Sequence, residues 1–178
     1  MSSSKKSPEL RRLKASDARN YRSVLVEALI VHSDCFADDY SAEISRPLSE
    51  TENELECTVT FGMWVGDDLV GIASAVPCST PKRQHCGIVR NLYMREKFRH
   101  KGFAELLLRA ILTHVTRELK QLETKVPLRC ERAVRLFEKL GFRMCGLVPN
   151  ALKVGQEEVD VWLMARLLRE VGLGRLPN

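Results

Sequence analysis

The chain has 178 residues, of which 44% are hydrophobic and 29% charged, with a formal net charge of +5. A chain of this length makes one domain of ordinary size and buries about 70% of its unfolded surface, so it needs no staples to hold a core. Ten glycines and seven prolines exclude collagen-like and low-complexity classes, and no apolar run approaches the ~18 residues of a membrane span.

Residues 1–8 carry a Lys5-Lys6 pair but no apolar stretch, so they read as a disordered lead and not as a secretory signal. Leu10 to Lys14 predicts a first strand. Ser16 and Asp17 are good N-caps for a helix whose face is Tyr21, Val24, Leu25, Ala28 and Leu29, at the i, i+3, i+4 spacing. A second, acidic helix is expected over about Asp38 to Arg46, ending before Pro47. Cys57 to Val65 and Leu69 to Val76 flank Gly66-Asp67-Asp68 and predict a β-hairpin. After a polar loop, Ile88 to Met94 predicts another strand. A long helix opening near Gly102 presents Phe103, Leu106, Leu107, Ala110, Ile111, His114 and Val115 on one face. Leu122 to Leu128 predicts a short strand broken by Pro127. Glu131 to Leu140 predicts a helix with Ala133, Val134, Leu136, Phe137 and Leu140 inward, stopped at Gly141. Phe142 to Val148 and Val159 to Met164 predict two last strands joined by a polar loop, and 169–178 a loose tail. The order describes an α+β fold: a mixed, mostly antiparallel sheet of about seven strands with helices on both faces, one domain over 9–168.

The six cysteines, at 35, 57, 78, 86, 130 and 145, form no CxxC pair. With no secretory signal in view, free thiols in a reducing cytoplasm are expected, four of them in apolar surroundings. His85-Cys86 lacks the further ligands a zinc site needs, so no metal is expected. Charge is segregated: Asp34 to Glu56 has net charge −7, and Lys82 to Lys101 net +6.

Arg99-His100-Lys101-Gly102-Phe103-Ala104 lies between a predicted strand and a predicted helix. The first turn of a helix presents unpaired amides at the positive end of its dipole, an anion-binding arrangement. Gly102 and Ala104 let an anion approach the backbone, and Arg99, His100 and Lys101 add cations. The loop is neither a Walker loop nor a dinucleotide GxGxxG, so the residues alone leave pyrophosphate binding and an ordinary capped helix both open.

Strand-Arg99-x-x-Gly102-x-Ala104-helix resembles the R/Q-x-x-G-x-G/A signature of the GNAT superfamily of N-acetyltransferases. Ala133-x-x-Leu136-Phe137-x-x-x-Gly141-Phe142 is similar to the family's A-x-x-L-Y-x-x-x-G-F, and Pro149 to Val154 with Asp160 resembles a bacterial subgroup. The resemblance runs from about Glu9 to Leu167. It implies a GNAT-type fold and acetyl transfer from acetyl-CoA to a primary amine of a small molecule or peptide. It also implies that the cofactor lies on Leu92, Tyr93 and Met94, and on Arg99, His100, Lys101, Gly102, Phe103, Ala104 and Glu105. Three family positions differ. Cys130 replaces an Asn that touches the cofactor. Phe137 replaces the Tyr that protonates the departing thiolate, and Gly87-Ile88-Val89 lacks the usual glutamate base. Tyr93, His85, Cys86 and Glu96 are candidate bases among which the sequence does not choose, so no catalytic residue is assigned. The family places the acidic first-helix region beside the acceptor, which implies a cationic amine acceptor near Asp38 and Asp39. A homodimer is compatible with the family; a membrane or nucleic-acid partner is not expected. The alternatives are an acyl-CoA-binding sensor without useful turnover, and a nucleic-acid binder using Lys82 to Lys101, whose affinity would fall steeply with salt.

Overall fold

The computed structural model describes residues 7–168. Seven strands form one sheet in the order β1-β2-β3-β4-β5-β7-β6. They are β1 (Pro8–Arg12), β2 (Val59–Val65), β3 (Asp68–Pro77), β4 (Cys86–Met94), β5 (Gln121–Pro127), β6 (Arg143–Val154) and β7 (Glu157–Leu167). The sheet is mostly antiparallel, with β4 and β5 as its one parallel pair. The helices are α1 (Ala18–Val31), α2 (Tyr40–Ser45), α3 (Leu48–Cys57), α4 (Phe103–Val115) and α5 (Glu131–Lys139).

The sheet separates two cores. On one face Tyr21, Leu25 and Leu29 of α1 pack with Leu55 of α3 and with Ile72 and Tyr93 of the sheet. On the other, Leu107, Leu108 and Ile111 of α4 and Phe137 of α5 pack on Val89, Met94 and Leu122. Each fully buried aliphatic or aromatic side chain contributes about 1.5–3 kcal/mol, so burial on both faces sets the register of every central strand.

Several local expectations are corrected. Pro8 pairs with Val65, so β1 starts inside the expected lead, while 1–6 and 169–178 lie outside the described residues. Pro47 ends one helix but also caps the next, α3, because proline is tolerated where a helix N–H has no partner. Only Thr51 and Leu55 of α3 are buried, too sparse a stripe to read from the sequence. The buried face of α4 includes Leu108 and Leu112, whereas Leu106 is 45% exposed and His114 lies at the surface. The α5 stripe does face the core as expected, with Phe137 fully buried, Leu140 just beyond it, and Ala133, Val134 and Leu136 half-buried against the same cluster. The expected polar loop after Val148 is strand. β6 runs on to Val154, with a bulge between Val148 and Leu152 where Asn150 takes φ 51° and its N–H donates to Asp160 at 2.9 Å.

The thiol expectation is also overturned. Cys35 and Cys130 form a disulfide across 95 residues, with Cα atoms 6.2 Å apart. Cys57 and Cys145 are exposed, Cys78 is intermediate, and of the four free thiols Cys86 alone is buried. Spacing along the chain carried no sign of the pairing, because the turn after α1 and the N-cap of α5 are neighbours only in the folded chain. No helix among the described residues is long and apolar enough to cross a membrane.

Candidate active site

Strand β4 pairs with β5 only over Cys86–Ile88, opposite Gln121–Glu123. Beyond Ile88 the two strands diverge, leaving an opening whose one lip is the second half of β4. There the strand carries a bulge: Ile72 faces Tyr93 and Ser74 faces Arg90, so Asn91 and Leu92 together oppose Ala73. Asn91 has φ 56°, and its side chain is held by a buried bond from Nδ2 to Tyr21 Oη at 2.8 Å. Burial pushes that Tyr21 phenol up to about 12, so it stays a neutral anchor. A bulge leaves one residue out of the ladder, and its backbone groups are free for a ligand.

The expected site residues continue from this lip. Tyr93 and Met94 are buried, one in each core, and Leu92 is half-buried against the α4 side, so it is the backbone of these three that borders the opening. A 3₁₀ turn over Glu96–Phe98 then reverses the chain. His100 at φ 62° and Gly102 at φ 78° are both left-handed, which aims the chain into α4. The first intrahelical bond is Leu106 N–H to Gly102 O at 3.1 Å, ahead of which stand the amides of Phe103, Ala104 and Glu105. A Cβ placed on Gly102 would meet nothing within 4 Å, so the space beside Gly102, where α4 begins, is open.

The charged side chains divide. His100 and Lys101 are exposed beside this space, Lys101 with its ammonium 5.2 Å from the Phe98 ring. Arg99 turns inward: its Nε donates to Met94 O at 2.8 Å and its Nη2 to His32 Nε2 at 2.7 Å. Because a guanidinium only donates, His32 accepts through Nε2 and carries its ring proton on Nδ1. The Glu105 carboxylate is engaged by Lys139 at 2.6 Å and Arg109 at 2.8 Å, which hold it below the usual carboxylate range and leave its amide as the group open to an anion.

The candidate bases are scattered. His85 and Cys86 lie at the closed end of the β4–β5 pair, where the His85 carbonyl accepts from Lys120. The Tyr93 hydroxyl donates to Glu27 at 3.1 Å, and burial followed by the Glu27 charge raises its pKa, so it keeps its proton. Glu96 is exposed in the loop.

On the α1 face a cavity of about 430 Å³ opens beside β4, lined by Leu25, Asp38, Asp39, Glu43, Arg46 and Arg90 among others. Much of the acidic segment is compensated here: Arg46 pairs with Glu43, Glu50 and Glu54, and Arg90 with Glu54 at 2.7 Å. Asp39 caps α2 by accepting from Ala42 N–H at 3.0 Å. Glu43 is 7% exposed, and its Oε1 has no hydrogen-bond partner. Burial raises its pKa against the opposing pull of Arg46. Sequence reading took Glu43 only as one acid of the Asp34–Glu56 segment and did not single out Glu27 of α1.

The sequence profile of the acetyltransferase (GNAT) family matches residues 25–142, two-thirds of the chain and all of the opening and loop just described. The chain belongs to the GNAT acetyltransferase family. No curated protein matches its sequence. Among solved structures it is similar to a GNAT-family acetyltransferase from Streptococcus pneumoniae, at 20% identity and TM-score 0.80, covering 90% of this chain and 99% of that one. It is similar to yncA from Salmonella typhimurium, solved with its cofactor acetyl-CoA, at 16% identity and TM-score 0.81, covering 97% and 98%. A ribosomal-protein-alanine N-acetyltransferase from Brucella melitensis matches at 16% identity and TM-score 0.77, covering 89% and 99%. These likenesses establish that this GNAT acetyltransferase has the GNAT fold: the seven-stranded, mostly antiparallel sheet with helices on both faces.

Proposed function

We propose that the protein transfers the acetyl group of acetyl-CoA to a cationic primary amine. The observation that carries this is the left-handed Gly102, with open space beside it at the start of α4, following the bulged end of β4. Acetyl-CoA supplies a thioester carbon for the amine to attack. The amides of Phe103, Ala104 and Glu105 hold its pyrophosphate, with Lys101 and His100 beside them. The freed backbone at Asn91–Leu92 receives the arm and offers an N–H to the developing oxyanion.

No hydroxyl is available at Phe137, whose ring is 3% exposed and packs edge-on to Phe142 with centroids 5.0 Å apart. A coenzyme A thiol has a pKa near 8.5, so its thiolate departs acceptably without a donor, at a rate cost of about 10²–10⁴. The cavity beside Arg90 takes the acceptor, and Asp38, Asp39 and the unpartnered Glu43 Oε1 favour a positive charge there. The absence of an acid at Phe137 favours a second reading, an acyl-CoA-binding sensor.

Calorimetric titration with acetyl-CoA, followed by thiol release with a panel of amines, separates the two. Binding with turnover supports the enzyme, binding without turnover the sensor, and no binding overturns both. Asp38→Asn with Asp39→Asn keeps the α2 cap, since Asn caps as well as Asp. The pair should raise KM for a polyamine and leave acetyl-CoA affinity unchanged; an unchanged KM rejects the cationic acceptor. We also read the protein as cytoplasmic, a setting in which a disulfide is a reactive group more often than a permanent staple.

A further inference from the structure

Nothing in that function uses the Cys35–Cys130 bridge, yet it stands at the same opening. The chain leaving α1 is fastened at three points around it. His32 accepts from Arg99 at the foot of the anion-binding loop. Phe36 stands edge-on to Tyr93 of β4, with ring centroids 6.4 Å apart. Between them Cys35 is bonded to Cys130, which follows β5 and immediately precedes α5. The bridge therefore ties the turn after α1, which lies against β5 and is held to β4 through Phe36, to the residue that ends the β5–α5 connection. Cys130 packs on the same core cluster as Leu92 and Phe103, and both cysteines are half-buried, within reach of a group lying in the opening.

Building on the acetyl-CoA binding proposed above, we infer that this bridge is a thiol-exchange site whose partner is the free thiol of coenzyme A, the product that acetyl transfer leaves in the opening. The thiolate of coenzyme A attacks Cys35 Sγ. A sulfur–sulfur bond forms between coenzyme A and Cys35 as the Cys35–Cys130 bond breaks, and Cys130 leaves as a thiolate. The proton lost by the coenzyme A thiol ends, through water, on Cys130. The protein disulfide is itself the two-electron oxidant, so no other is needed. Attack falls on Cys35 because Cys130 stands at the N-cap of α5, where the positive end of the helix stabilises charge on the departing sulfur. The mixed disulfide fills the path of the cofactor and blocks acetyl-CoA. Cys130 can later attack the mixed disulfide, reform the bridge and release coenzyme A.

The test uses the oxidised full chain mixed with reduced coenzyme A, or with glutathione at equal thiol concentration. Samples are quenched in acid for intact-mass analysis and peptide mapping. The expected result is a one-to-one coenzyme A adduct at Cys35 with one new free thiol at Cys130. Because a bound thiol attacks at a high effective concentration, the adduct should form about tenfold or more faster than with glutathione. Acetyl-CoA, which has no free thiol, should suppress it, and the Cys35→Ser/Cys130→Ser variant should form none. Equal rates with the two thiols, or no suppression by acetyl-CoA, overturn the inference. Calorimetric acetyl-CoA binding without any adduct overturns the inference alone. Failure of acetyl-CoA to bind overturns the proposed function with it.

Discussion

Opening the Cys35–Cys130 bridge has a stability cost that follows from chain statistics. The bridge closes a loop spanning 95 residues of sequence separation. In the chain-entropy treatment, a loop of that size removes enough freedom from the unfolded chain to stabilise the fold by about 4.7 kcal/mol. Against a usual total of about 5–15 kcal/mol, that is a third of the stability or more. At about 2–4 °C per kcal/mol for a chain of this length, Tm should fall by about 9–19 °C. Guanidinium unfolding of the oxidised protein is compared with the same protein in a dithiol reductant and with Cys35→Ser/Cys130→Ser. Cys57, Cys78, Cys86 and Cys145 are common to all samples, so the difference isolates one bond. The m-value should also rise in the opened forms, because an uncrosslinked denatured chain exposes more surface. Equal midpoints for the three samples would refute the reasoning: either the pair is not joined in solution, or the two segments stay together without the bond.

Two further substitutions address the anion loop and a buried carboxylate. Gly102→Glu costs about 1–2 kcal/mol of folding stability for its left-handed backbone, but its Cβ meets nothing, so the fold survives. Acetyl-CoA affinity should fall about 100-fold or more by calorimetry, the worth of two charge-assisted hydrogen bonds, and retained affinity means the loop does not hold the pyrophosphate. Asp17 accepts two bonds from Arg11, both 2.9 Å, and one from Lys14 N–H at 3.0 Å; these, Arg11 first, hold its pKa below the usual 3.8. A depressed carboxylate contributes its stability above the ordinary pKa and loses it as pH falls through that value and its own. Asp17→Asn should therefore cost about 1–2 kcal/mol at pH 7, less than a fully buried ionic bond because the Arg11 side chain is 38% exposed. The gap should close below about pH 4 in denaturant titrations. A constant gap down to pH 3 would assign the loss to packing.

The sequence alone determined what depends on a few neighbouring residues. The hairpin at Gly66, the helix start after Gly102, the α5 stripe ending at Gly141 and the Arg99-x-x-Gly102-x-Ala104 loop were all legible. In each, turn geometry and helix termini are set within four or five positions along the chain. The seven strands and the two-sided arrangement of helices followed from the order of those segments. Distant encounters were decided only by the tertiary structure. Which side of α4 is buried depended on where the sheet lay, so Leu108 and Leu112 went inside and Leu106 stayed out. The acidic and basic segments looked like separate faces, but Arg90 meets Glu54 once β4 passes beside α3. Glu43 came to hold one oxygen against Arg46 and to leave Oε1 without a partner only through packing around α2. The opening between β4 and β5 exists because strands paired at one end diverge at the other. That divergence comes from sheet geometry and packing, not from any local run of residues, and no reading of spacing along the chain could have placed Cys35 against Cys130.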